Sequence, residues 1–178
     1  MEKLSMDALG RMDAESFKQA EKMPLVVVLD NVRSMHNVGS VFRSSDAFLV
    51  EAIYLCGFTP CPPHRDIHKT ALGSTDTVTW KYVDETMNAI QLLKDEGYTI
   101  VSVEQVTNSV SLPAVQWDGQ SKIAVVMGNE VDGVDQEIIN ESSYCIEIPQ
   151  MGTKHSLNIS VATGIVLYKM AEFYISSK

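Results

Sequence analysis

Residues 25–50 read LVVVLDNVRSMHNVGSVFRSSDAFLV, and the order of patterns inside this stretch decides the fold. LVVVLD (25–30) is an unbroken run of branched apolar residues closed by one acid, the way a strand buried on both faces of a parallel sheet reads. The polar NVRSMHN after it is a loop. Within 37–50, Val38, Val41, Phe42, Ser45 and then Phe48 or Leu49 recur at helical spacing. Strand, loop and helix in that order open a β-α-β unit.

Outside this stretch the same unit returns. EAIYLCGF (51–58), TVTWKYV (77–83), YTIVSVEQ (98–105), KIAVVMG (122–128) and YCIEIP (144–149) read as strands, with the Pro-rich TPCPPHRD and then HKTALGS as the connection between the first two. Residues 84–96 predict a helix with Asp84 as N-cap and Gly97 as the residue that ends it. A short helix over 135–142 and a long one over 157–174, interrupted only by Gly164, complete the series. The alternation calls for an α/β domain, a mainly parallel sheet with helices on both faces. Ahead of Pro24, residues 1–22 set Leu4, Ala8, Leu9, Met12 and Phe17 at helical spacing, which predicts an N-terminal helical extension docked on a main domain of residues 23–178.

Composition removes several classes. With 178 residues, 45% of them hydrophobic and 21% charged, the chain reads as one globular domain. No apolar run reaches the roughly 18 residues of a spanning helix, and MEKLSMDALGRMDAES (1–16) has no secretory core, so a soluble, cytoplasmic protein without membrane contact is expected. Cys56, Cys61 and Cys145 make an odd set that suits a reducing compartment. The net charge of −9 argues at first sight against nucleic acid. Residues 82–149, however, hold 12 acidic and two basic residues, and the remainder sums to +1. His36, His64 and His68 lie between 31 and 81 with Arg33, Arg43, Arg65, Lys69 and Lys81, and His155 follows Lys154. An anionic partner would approach those two stretches, while the acidic segment reads as a solvated face.

The chain has no G-x-G-x-x-G run, and the glycine pair Gly128 and Gly133 is followed by Val134 and Asp135 rather than the Lys and Ser or Thr of a phosphate loop. No G-x-S-x-G or H-E-x-x-H pattern occurs. Ligands of open α/β sheets bind outside the carboxyl ends of the strands. Three loops rich in Gly, Asn, Ser and charge leave strands there, over 31–44, 127–134 and 149–160.

HNVGSVFRSSDAF (36–48), VVMGNEVDGV (125–134) and IEIPQMGTKHSLNISVA (146–162) resemble, in that order and at similar separations, the three motifs of the SpoU/TrmH family of RNA ribose 2′-O-methyltransferases in the SPOUT superfamily, and HKTALGS is similar to the family's segment between the first two. The resemblance covers about residues 24–174. It implies a sheet whose C-terminal part is threaded into a trefoil knot, a homodimer, and S-adenosylmethionine bound within the knot. It implies a catalytic role for Arg43 with Asn37 assisting, and places Glu130, Ser156 and Asn158 at the reaction centre. The same resemblance puts Val103, Glu104, Gly128, Ile148, Met151 and Leu157 around the cofactor.

Each residue also has a plainer reading. Arginine is a reluctant base, so Arg43 suits a clamp on the phosphate beside the target ribose; it could instead pair with Asp46 on the helix surface. Asn37 could be an N-cap, Glu130 an exposed acid on a strand-to-helix turn, and Asn158 and Ser160 first-turn residues of the last helix. Gly128 lets a ligand approach the backbone closely. Arg33, Arg43, Arg65, Lys69 and Lys154 are the candidate RNA contacts. Cys56, Cys61, His64 and His68 approach zinc-ligand spacing, but two intervening prolines and the resembled family's lack of zinc argue against a metal. The expected activity is methyl transfer from S-adenosylmethionine to a ribose 2′-hydroxyl of structured RNA. With about 22 residues ahead of the first strand, tRNA is favoured over rRNA; a further expectation is that Arg43 of one subunit faces the other's cofactor. A non-catalytic RNA-binding or cofactor-sensing homologue is the alternative.

Overall fold

The apolar run 25–30 forms the centre of β1 (Met23–Asp30) in a computed structural model that describes residues 1–5 and 7–178. After it come α2 (Met35–Ala47), β2 (Val50–Cys56), α3 (Arg65–Ala71), β3 (Trp80–Val83), α4 (Thr86–Asp95) and β4 (Thr99–Val103). The chain continues through β5 (Val110–Ser111), β6 (Ile123–Met127), α5 (Gln136–Glu141), β7 (Tyr144–Glu147) and α6 (Ile159–Ser176), and α1 (Ala14–Gln19) precedes β1. The seven strands lie in the order β3-β2-β1-β6-β4-β7-β5, and every neighbouring pair is parallel.

The strand residues sort by parity into two cores. Leu25, Val27 and Leu29 of β1 join Ile53 and Leu55 of β2 beneath α1, α2, α3 and α6. Val26 and Val28, with Ala52, Tyr54 and Cys56, pack beneath α4 and α5 on the other face. Two covered faces are what a continuous apolar run requires, because neither set of alternate side chains can be left in water. Phe42 of α2 is fully buried against the first core, where truncating a residue of its size to Ala costs about 3–5 kcal/mol.

The structure departs from the sequence reading in a few elements. The N-terminal helix covers only 14–19, after a separate 3-10 turn (Asp7–Leu9), and it docks through Phe17 while Leu4, Leu9 and Met12 stay exposed. The connection 59–74 contains α3, capped by His64, whose Nδ1 accepts from the Asp66 N–H at 3.2 Å. The cap of α4 is Glu85 rather than Asp84. The two-residue β5 has no hydrophobic signal of its own and is held by its register with β7.

Register positions the site. Val103 at the end of β4 is level with Met127 of β6 and with Ile146 of β7, and Val110 of β5 is also level with Ile146. Residues 104–109 therefore pass over the carboxyl end of β7, and the chain leaving β7 must emerge beside that arch to reach α6.

Candidate active site

A cavity of about 510 Å³ opens at this carboxyl edge, within the usual range for a small-molecule site. Its apolar wall includes Val103, Met127, Ile146 and Ala162, and its polar groups include Glu104, Asn129, Glu130, Ser156 and Asn158. Gly128, Ile148 and Leu157 add to the wall, which comes from the segments after β4, β6 and β7; no residue of the 31–44 loop lines it.

Glu130 ties the 31–44 loop to this wall. Its Oε2 accepts from the Arg33 N–H at 3.1 Å, and its Oε1 accepts from the Ser34 N–H at 3.2 Å and from Asn37 Nδ2 at 2.8 Å. A carboxylate only accepts, so Asn37 must turn its amide nitrogen toward Glu130 and its oxygen away. That oxygen accepts from Asn158 Nδ2 at 3.1 Å, and Asn158 Oδ1 in turn accepts from the Ser160 N–H at 2.9 Å, capping α6. The charge of one carboxylate thus orients two amides and joins β1–α2, β6–α5 and β7–α6. Burial pushes the Glu130 carboxyl up, but the donors from Arg33, Asn37, its own backbone and Ser34 outweigh burial and hold it below the ordinary value.

The glycine-rich loop after β6 closes on itself. Asn129 and Gly133 exchange backbone hydrogen bonds of 3.0 and 3.2 Å, and Asn129 Oδ1 accepts from the N–H groups of Val131 and Asp132, both at 2.9 Å. The glycine at 128 is required by this closure. A Cβ there would sit 2.0 Å from the Gly133 carbonyl carbon, while the Gly128 backbone itself lines the cavity. Glu104 braces the same loop, its Oε2 accepting from the Val134 N–H at 3.1 Å.

Other candidates lie elsewhere. Met151 is fully exposed and outside the cavity wall, since the strap it belongs to turns it to solvent. Arg43 stands on the exposed side of α2, opposite Val38, Val41, Phe42 and Ser45, and does not line its own chain's cavity. The alternative pairing with Asp46 is not among the ion pairs of the described residues, and Asp46 Oδ2 accepts from Thr77 Oγ1 at 2.5 Å. Ser34, not Asn37, caps α2, its Oγ accepting from the Asn37 N–H at 3.3 Å. Arg33, Arg65, Lys69 and Lys154 are exposed, and Lys69 pairs with Asp66 at 2.6 Å.

The Cys/His spacing does not converge either. Cys56 packs in the α4–α5 core and Cys61 against the opposite one, while His64 is occupied as a helix cap. Burial, with the nearby Asp30 charge, pushes the Cys56 thiol up to about 12. Among the described residues no group of three His, Cys, Asp or Glu side chains could hold a metal ion, and no helix is long and apolar enough to cross a membrane.

Sequence reasoning missed Asp30. It is 1% exposed, and its Oδ1 accepts from Thr86 Oγ1 at 2.6 Å and Asn31 Nδ2 at 2.9 Å, while Oδ2 accepts from the Asp135 N–H at 3.0 Å. The signal was available: a lone acid closing an apolar strand must find buried donors.

The arrangement is that of an α/β protein that holds a small ligand in a polar-mouthed cavity at the carboxyl end of a parallel sheet. A profile of the SpoU rRNA Methylase family matches residues 24–168, and the chain belongs to that family. It is 34% identical over 151 residues to a tRNA (guanosine(18)-2′-O)-methyltransferase of Aquifex aeolicus, covering 82% of this chain and 67% of that one. It is 29% identical over 171 residues to a 23S rRNA (guanosine-2′-O-)-methyltransferase of Vibrio parahaemolyticus, covering 96% and 68%. The crystal structure of an AdoMet-bound rRNA methyltransferase from Sinorhizobium meliloti superposes with a TM-score of 0.79 at 26% identity, over 88% of this chain and 59% of that one. The chain spans about three fifths to two thirds of the length of these relatives.

Proposed function

We propose that this protein transfers a methyl group from S-adenosylmethionine to a ribose 2′-hydroxyl of RNA, and that its RNA is tRNA. The observation that carries the reading is the oriented network Glu130–Asn37–Asn158 at the mouth of the cavity. The cavity suits the cofactor on its own terms. Val103, Met127, Ile146 and Leu157 offer apolar surface to an adenosine. The strap 150–157 makes no backbone–backbone hydrogen bond among the described residues, leaving N–H and C=O groups for a ligand. When bound, S-adenosylmethionine supplies the electrophilic methyl. The chain's own residues orient and desolvate the acceptor oxygen at that mouth, where alignment contributes roughly 7–11 kcal/mol in the best intramolecular cases. Arg43 clamps the phosphate beside the target ribose, and the hydroxyl proton passes to that phosphate.

Arg43 faces away from its own cavity, so we place it in the second subunit's site of a homodimer. The exposed side of α6 supports this: Val161, Ile165 and Tyr168 form an apolar stripe opposite the buried Ala162, Val166 and Met170, and Tyr168 packs edge-on to Phe48. The same reading carries the trefoil knot, formed where the chain after β7 passes the 104–109 arch. The 34% identity to the Aquifex aeolicus tRNA enzyme, against 29% to the Vibrio parahaemolyticus 23S rRNA enzyme, supports tRNA.

The test is incubation of the protein with tritiated S-adenosylmethionine and bulk RNA, followed by digestion to nucleosides. Label is expected in a 2′-O-methylnucleoside, and mapping of 2′-O-methyl sites in cells with and without the gene assigns the RNA. Arg43→Ala is expected to abolish incorporation while calorimetric affinity for S-adenosylmethionine stays within about twofold, a tolerance set by the arginine's absence from the cavity wall. Retained incorporation in that variant sinks the mechanism.

A further inference from the structure

On the other side of the 128–135 loop lies a second concavity of about 470 Å³, lined by Asp30, Tyr82, Asp84, Thr86 and Glu137, with Phe58 among its walls. Phe58 is 84% exposed and Tyr82 52% exposed. An aromatic left in water on a loose loop would be unremarked, but the backbone that carries this one is fixed. Asn31 adopts φ 53°, and its Oδ1 accepts from the Phe58 N–H at 3.0 Å. Gly57 adopts φ 60°, and a Cβ there would fall 2.2 Å from Asn31 Oδ1, so this approach excludes a side chain. Tyr82 donates its hydroxyl to the Gly57 carbonyl at 3.1 Å.

The turn that presents Phe58 is fastened to the active-site segment. The Val32 N–H donates to Thr59 Oγ1 at 3.1 Å, and that hydroxyl donates to the Leu29 carbonyl at 3.1 Å. The next two residues, Arg33 and Ser34, are those whose N–H groups hold Glu130. The backbone that presents Phe58 is therefore fastened to the segment whose next residues hold Glu130.

Charge divides around it. Arg33 and Arg65 are exposed on the α2–α3 side. On the α4–α5 side the concavity is lined by Asp84, Glu85 and Glu137, with Asp135 beside them. A phosphate would be repelled from the acidic side, so the part of an RNA that fits there is a base, with a π face for Phe58 and N–H donors for the carboxylates. A base stacked on an aromatic needs no sequence complementarity to bind; acceptors along its edge then select bases that carry donors.

We propose that Phe58, on the turn that Tyr82 holds through the Gly57 carbonyl, is a stacking platform for a nucleobase next to the methylated nucleotide, and that Asp84 and Glu137 accept that base's N–H donors, favouring guanine over uracil. The assignment rests on the RNA-methylating reading above. It is tested by anisotropy titrations of fluorescein-labelled GACAGACAGACA and U12 against the full chain, with cofactor affinity and melting temperature as controls. Wild type is expected to bind the donor-rich RNA more tightly than U12. Phe58→Ser is expected to weaken that binding by about 5- to 100-fold with both controls unmoved, and Phe58→Trp to restore it. Asp84→Asn combined with Glu137→Gln is expected to narrow the gap between the two RNAs. Unchanged affinity in Phe58→Ser overturns the platform while leaving the methyltransferase reading intact, and the patch is then a protein contact or none. Failure of wild type to place tritium in bulk RNA overturns that reading, and the platform with it.

Discussion

Glu130 looks dispensable by exposure, yet three chain segments are oriented by its charge. Its side chain was legible as a candidate because it follows a strand directly in the 128–133 loop; its partners were not, because Arg33, Ser34 and Asn37 are 93 to 97 residues away in sequence. Since the folded state holds its pKa below the ordinary value of 4.5, it favours the ionised form. Its contribution to stability is complete above that value and is lost as pH falls through the lowered one. Cofactor affinity is accordingly expected to stay flat from neutral pH down through the ordinary carboxylate value and to fall only as pH passes through the lowered one, as measured by calorimetry across pH. Glu130→Gln sets an amide donor against the donors of Arg33 or Asn37, is expected to cost about 1–2 kcal/mol in urea unfolding, and removes the acid limb of that profile. Gly128 behaves differently: Gly128→Ala drives a methyl into the Gly133–Val134 backbone. That overpacking is expected to cost about 1–3 kcal/mol and to abolish cofactor binding by deforming the loop, where Gly152→Ala, with open space at its Cβ, leaves the melting temperature unchanged.

At the scale of elements, legibility followed how locally each was determined. β1 and α2 carry their own periodicity, so their existence and faces could be read from 25–50. Helix α3 could not, because its seven residues are made helical by tertiary contacts: Ile67 is fully buried, and Thr70 Oγ1 donates to the His36 carbonyl of α2 at 3.0 Å. Within α2, Arg43 and Asn37 do not share a face. Six residues along a helix is a rotation of about 240° beyond one full turn, which takes Arg43 away from the face that buries Asn37. In α6 the apolar pattern is broader than one core can cover, and a helix apolar on both sides is expected to be covered twice. Replacing Val161 and Ile165 with Glu is therefore expected to yield a folded monomer by light scattering, since both side chains are already exposed at 51% and 38%. A dimer persisting in that variant would place the subunit contact elsewhere.

At the scale of the whole molecule, the order of the sheet was the least legible feature. Placing β6 between β1 and β4, and β7 between β4 and β5, is decided by pairing across distant segments rather than by any local pattern. Arg33, Arg43 and Arg65 precede the acidic segment 82–149 and Lys154 follows it, and all four side chains are exposed. None of those four has a carboxylate partner among the described ion pairs, which use Lys69, Lys94, Lys169 and Lys178. A formal charge of −9 therefore does not measure what an RNA meets. Each phosphate neutralised on a single strand adds roughly −0.7 to the slope of log affinity against log salt, so four free cations give about −3 for one subunit and about −6 where two subunits share one RNA. The Val161 and Ile165 double variant is expected to halve the slope measured with bulk tRNA between 50 and 200 mM salt. A slope that stays the same in the monomer would mean that each subunit binds RNA alone, and would remove the reason to assign Arg43 to its partner's site.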